Sequence, residues 1–150
     1  MKLLDSHTEL IDQLNSDTEQ FFNEIAFFKG DIVFLRKVID NYFRSITHIE
    51  NIERLKGCVD QFRDMEIQLN CLLLQLNQHR SRIGYASKQE STVMNWALLK
   101  VHSNFNSKIK NFISDYLYVR TEIFSIVVDP LKEIQDLNSN MFSGHLLSPN

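Results

Sequence analysis

The stretch Phe27-Phe28-Lys29-Gly30-Asp31-Ile32-Val33-Phe34 decides the fold. If Gly30 ends one helix and Asp31 caps another, the chain is a globule of short helices. If one helix runs straight through, it is an elongated bundle. The flanking residues answer the question. One heptad core position carries Leu4, Ile11, Thr18, Ile25, Ile32, Ile39 and Ile46. The other, three residues on, carries His7, Leu14, Phe21, Phe28, Leu35 and Tyr42. This alternation crosses Gly30 without losing phase, which a loop would not preserve. Gly30 falls on the outer side, where glycine costs only about 1 kcal/mol relative to alanine. The spacing predicts one helix over about 4–45.

The first break is Ser45-Ile46-Thr47-His48-Ile49-Glu50. Thr47-x-x-Glu50 matches a capping box, in which hydroxyl and carboxylate each satisfy an orphan backbone N–H. Basic Arg36, Lys37 and Arg44 precede it and acidic Glu50 and Glu53 follow, as helix dipoles favour. A second helix over 48–83 repeats Ile52, Leu55, Val59, Phe62, Met65, Leu69, Leu72, Leu76, His79 and Ile83, with Gly84 as its expected C-cap. Ser87-x-x-Glu90 offers another capping box. A third helix over 88–128 repeats Met94, Leu98, Val101, Phe105, Ile109, Phe112, Tyr116, Val119, Ile123 and Ile126. Its extra four-residue step at Val101-Phe105-Ile109 is a stutter that locally unwinds a supercoil. Asp129-Pro130 then kinks this helix or starts a short one over 130–140, before a loose tail at 142–150.

Each long helix spans roughly 55–60 Å at about 1.5 Å per residue. Matched lengths and short turns predict an all-α, antiparallel up-down-up three-helix bundle, one domain over 1–141. Charge agrees: an antiparallel second helix brings Arg80, Arg82 and Lys88 beside acidic Asp5, Glu9 and Asp12. Composition agrees as well. Only 4 Gly and 2 Pro in 150 residues are too few for strands with tight turns. The net charge of −3 argues against nucleic acid as the main partner, because phosphate binding draws on a clustered positive surface. No apolar leader and no run of about 18 uncharged apolar residues is visible, so a cytoplasmic location with no transmembrane segment is expected. Cys58 and Cys71 form no CxxC and have no His at metal-ligand spacing.

Motifs for chemistry are missing. No Glu is followed three residues later by His, the pair that dimetal bundles use. Nothing matches a nucleophile elbow, a phosphate-cradling glycine loop or HExxH. No catalytic residue, cofactor or metal is expected. His7 reads as a terminal core layer and His79 as a packing residue near a helix C-terminus, while the sequence alone identifies no partner for His48 or His102. The basic tip Arg80, Arg82 and Lys88 is a possible anion contact, set against neutralisation by the first helix.

Excess apolar surface is the informative anomaly. Phe27 and Phe34 lie off the seam with Gly30 between them on the same side, a flat spot that another helix can approach. Ile67, Cys71 and Leu74 form a second outer row, and Ile113, Leu117, Phe124 and Val127 widen the face of the third helix. Either the segment after Pro130 folds back over this surface or a partner covers it. The expected interface is therefore Phe27, Gly30, Phe34, Ile67, Cys71, Leu74, Ile113, Leu117 and Phe124.

The runs TEQFFNEIAFFKGDIVFLRKVI and VDQFRDMEIQLNCLLLQLNQH resemble small bacterial three-helix proteins of unknown function, through Phe21, Glu24, Phe27, Asp31 and Phe34-Leu35. The outline is also similar to a spectrin-type repeat, although Trp96 stands on the third helix rather than the first. The expectation is a non-enzymatic interaction or scaffold module, a homodimer or a binder of another helical protein. The alternative is a small-molecule or metal-binding bundle with its site between the helices.

Overall fold

The computed structural model describes the backbone at residues 2–45, 48–89 and 92–146, and the side chains at 6–45, 48–89 and 94–128. Its elements are α1 (Lys2–Phe43), α2 (Ile49–Ala86) and α3 (Thr92–Leu146). No strand occurs among the described residues, and the three helices pack as an all-α bundle. α1 runs through Gly30 unbroken. The continuous seam pays for this: Ile25, Phe28, Ile32 and Leu35 are all buried on either side of the glycine.

Contacts between helices fix their directions. Glu19 meets Arg80 at 3.6 Å and Arg36 meets Glu66 at 3.4 Å, so α1 and α2 are antiparallel. Arg54 meets Glu122 at 2.6 Å and Lys108 reaches Gln75 at 3.4 Å, so α2 and α3 are antiparallel too. Asp17 contacts His102 and Asp31 contacts Arg120, which leaves α1 and α3 parallel. The up-down-up topology follows. α1 and α3 approach each other closely along less of their length than either approaches α2.

Several boundaries differ from the sequence reading. His48, not Thr47, is the N-cap of α2, with extended backbone and a carbonyl that accepts from Asn51 and Ile52 N–H, each at 3.2 Å. Thr47 and Glu90 lie outside the described residues. Gly84 does not end α2. A glycine stops a helix by turning left-handed, and none among the described residues has positive φ. Ser87 is the C-cap instead, its N–H donating to the Ile83 carbonyl and its hydroxyl to that of Gly84. Ser87 therefore closes α2 rather than opening α3.

The separate helix over 130–140 is also replaced, because α3 continues without interruption through Asp129-Pro130 to Leu146. Its residues 142–146 are helix rather than loose tail. Proline removes one donor and crowds one turn, at a cost of about 3 kcal/mol. The turn before it is anchored by buried Ile123, Ile126 and Val127. One continuous helix cannot double back over the outer rows.

The core falls into two parts. The larger contains Phe21 to Ile39 of α1, Leu55 to Leu76 of α2 and Phe105 to Val127 of α3. The smaller contains Ile11, Leu14, Ile83, Ala86 and Leu98. Between them, at one level in all three helices, the inward residues are polar: Thr18, His79 and His102.

Candidate functional site

The polar layer begins with Thr18, 1% exposed, whose hydroxyl donates to the Leu14 carbonyl at 2.6 Å and so satisfies itself within α1. His79, also 1% exposed, cannot do this. It shares a hydrogen bond with His102, Nε2 to Nδ1, at 3.1 Å. The far nitrogen of His102, Nε2, donates to Asp17 Oδ2 at 3.0 Å, and Asp17 accepts a second bond from Gln13 at 2.8 Å. A carboxylate can only accept, so His102 carries its proton on Nε2 and its neutral Nδ1 is an acceptor. His79 then donates from Nε2. Its Nδ1 is left as a buried lone pair without a partner among the described residues.

Aromatic rings seal the layer. Phe21 lies 5.2 Å from the His102 ring and Phe105 lies 5.3 Å from that of His79. Burial, followed by the neighbouring charges of His102 and Arg82, pushes His79 down to about pKa 4. Both ring nitrogens of His102 are engaged, which leaves it no lone pair for a substrate.

Asp17 and His102 also form one end of a cleft of about 560 Å³ between α1 and α3, together with Gln20, Glu24, Asn106 and Lys110. Phe27 and Phe34 stand three residues beyond Glu24 and Asp31, on the shoulder of α1 that faces α3. Arg120 reaches Asp31 at 3.4 Å and lies 5.1 Å over the Phe124 ring. On the same flank of α3, Leu117 and Phe124 bracket Arg120, and Ile113 stands one turn before Leu117. The contacts Asp17–His102 and Asp31–Arg120 place Phe27 and Phe34 level with Ile113 to Phe124.

Phe27 is 64% exposed, Phe34 53% and Leu117 50%. Ile113 and Phe124 are only partly buried against the core. Gly30, beside the two phenylalanines, is exposed, and an added Cβ would meet nothing within 4 Å. Five of the nine expected interface residues therefore lie at one level of α1 and α3, with Gly30 on the outer side of α1.

Ile67, Cys71 and Leu74 do not join them. They are exposed on the back of α2, opposite its buried seam of Met65, Leu69, Leu72 and Leu76. The cysteines stay apart as free thiols. Burial, reinforced by Glu122 and opposed by Arg54, pushes the Cys58 thiol up. The basic tip does not converge either. Arg80 turns to α1, where it pairs with Glu19 and lies 4.4 Å over Phe22. Arg82, two residues on, faces the other way and lines an apolar cleft of about 470 Å³ with Tyr85, Met94, Leu98 and Val101. Lys88 is exposed in the turn after α2. His7 sits half-buried in the end layer: its Nε2–H donates to the Ala86 carbonyl at 3.2 Å and its Nδ1 accepts from Asn95 at 3.2 Å.

The sequence reading missed the partnership of Asp17, His79 and His102. The available signal was the stutter in α3. The two successive four-residue steps at Val101-Phe105-Ile109 shift the seam, so that position 102 turns inward beside Val101. Among the described residues, no group of three His, Cys, Asp or Glu side chains is placed to hold a metal, and no helix is long and apolar enough to cross a membrane. Compared with known protein families, curated proteins and solved structures, the chain matches none.

Proposed function

We propose that this chain is a non-enzymatic helical interaction module that self-associates through the α1–α3 face. The observation that carries this reading is the exposure of Phe27, Phe34 and Leu117 at the one level that the Asp17–His102 and Asp31–Arg120 contacts set between α1 and α3. A buried aromatic side chain covers roughly 150–250 Å². At 64% and 53% exposure, Phe27 and Phe34 together leave on the order of 230 Å² of mostly apolar surface in water. A stable interface needs about 800 Å² per partner, and the rest of the face supplies more apolar surface beside them. A second copy fits because the same face is then buried twice about a two-fold axis.

Light scattering on the full chain tests this. The expected result is a dimer that Phe27→Glu and Phe34→Glu each convert to a monomer while helical content by circular dichroism stays the same. A wild-type monomer at high concentration refutes self-association. Variants that unfold would place the two phenylalanines in the core instead. A mass exceeding one chain only after another helical protein is added would assign the face to a different partner.

A second reading, a small-molecule binder, rests on the apolar cleft beside Arg82. Such a ligand at about 100 times its Kd adds roughly 2.7 kcal/mol of stability. A thermal-shift screen of small apolar acids in which no compound moves the midpoint removes this reading.

A further inference from the structure

Among the described residues the apolar core is interrupted at one level, and there the chain Asp17–His102–His79 joins all three helices through two hydrogen bonds of 3.0 and 3.1 Å. Two imidazoles that share one hydrogen bond can hold three or fewer protons without conflict. In the neutral arrangement His102 donates to Asp17 and His79 donates to His102. A first added proton changes little. It leaves His102 as an imidazolium against the Asp17 carboxylate, donating from Nδ1 to His79, whose own proton moves to Nδ1. A second added proton has only His79 Nε2 to occupy. That nitrogen is then accepting the bond from His102, so the bond breaks and two cations face each other with ring centroids 5.3 Å apart.

We propose that the Asp17–His102–His79 chain is a proton-operated latch on the α1–α3 cleft, closed while the two histidines share one hydrogen bond and opened when both are charged. The charged surroundings set the threshold. From α1, His79 is faced by Asp17 through His102, and by Glu19, which Arg80 holds. From α3 come His102 and, beyond Phe105, Lys108. Its own helix adds Arg80 and Arg82. Burial and the nearby cations oppose a charge on His79.

His102 and Asp17 are wall residues of the cleft between α1 and α3, so loss of the bond that ties His102 to α2 frees one wall of that cleft. Acid then weakens self-association, a consequence that rests on the α1–α3 face being the contact surface.

Imidazole nitrogen resonances of the full ¹⁵N-labelled chain, followed from about pH 7.5 to about pH 3.5, read the latch directly. Light scattering over the same range reads association. At the upper pH, His79 is expected to carry its proton on Nε2 only. One proton is then taken up with the inter-histidine bond kept. A second is taken up with its loss, together with a collective shift of the Asp17, Gln20 and Asn106 amides and a fall to monomer mass. His79→Gln, which keeps an amide donor but cannot titrate, loses the second step.

Two charged imidazoles with unmoved cleft amides overturn the latch, and so does a His79→Gln variant with the same second step. If that variant does not fold, the wild-type nitrogen titration decides alone. A chain that is monomeric at every pH yet shows the second step keeps the latch and refutes the association reading. A dimer that persists through the second step refutes the control of association.

Discussion

Acid should destabilise this bundle through one residue, and the size of the effect follows from the structure. His79 has an ordinary pKa of 6.5 when unfolded and is pushed down to about 4 when folded, by burial first and then by His102 and Arg82. The unfolded chain therefore binds more protons between these values, and stability falls as pH falls. Almost nothing is lost above about pH 7, and the penalty is complete below about pH 3. One pKa unit is worth about 1.36 kcal/mol, so the full loss is on the order of 3 kcal/mol, and about 2.5 kcal/mol of it appears by pH 4.5. Carboxylates titrate in the same range, so the informative quantity is a difference. Urea denaturation at about pH 7.5 and pH 4.5 on wild type and His79→Leu isolates it. Wild type should lose about 2.5 kcal/mol more than the variant between the two conditions. Equal losses would mean that His79 is not held neutral by the fold, and the reasoning about the buried polar layer would fail with it.

Three further outcomes are expected. Phe27→Glu should leave monomer stability within about 1 kcal/mol of wild type, as exposed positions do, while dimer dissociation rises by orders of magnitude; equilibrium sedimentation measures the second and urea melts the first. Gly30→Ala should stabilise the chain by about 0.5–1 kcal/mol, because the site is mid-helix and an added Cβ meets nothing within 4 Å; an unchanged or lower Tm would contradict an uninterrupted α1. Tyr116→Phe should be neutral or stabilising by up to about 1 kcal/mol, since the buried hydroxyl has no hydrogen-bond partner among the described residues. A loss larger than that in a denaturant melt would reveal a partner for it.

The helices and their seams were legible in the sequence because they are local. Each inward residue is set by neighbours three and four positions away, and every seam residue of α2 from Leu55 to Ile83 except the half-buried Val59 is buried as its spacing predicts. Gly30 could be placed inside α1 on the same ground, by phase alone. The ends were less legible. Gly84 and Pro130 have strong average preferences, but a left-handed turn or a helix stop is used only where the chain must turn, and the chain turns after Ser87 instead. The outer apolar rows were visible as rows, yet periodicity cannot say which of them meet. That depends on the rotation of each helix about its axis and on the register of α1 against α3, set by pairs such as Asp31–Arg120 that lie far apart in sequence. These put Phe27 and Phe34 at the level of Leu117 and left Ile67, Cys71 and Leu74 on the back of α2. The polar layer belongs to the tertiary structure most of all. Asp17 alone is a surface carboxylate and His102 alone an unpartnered ring, and only the packing of three helices at one level makes them, with His79, a single hydrogen-bonded chain.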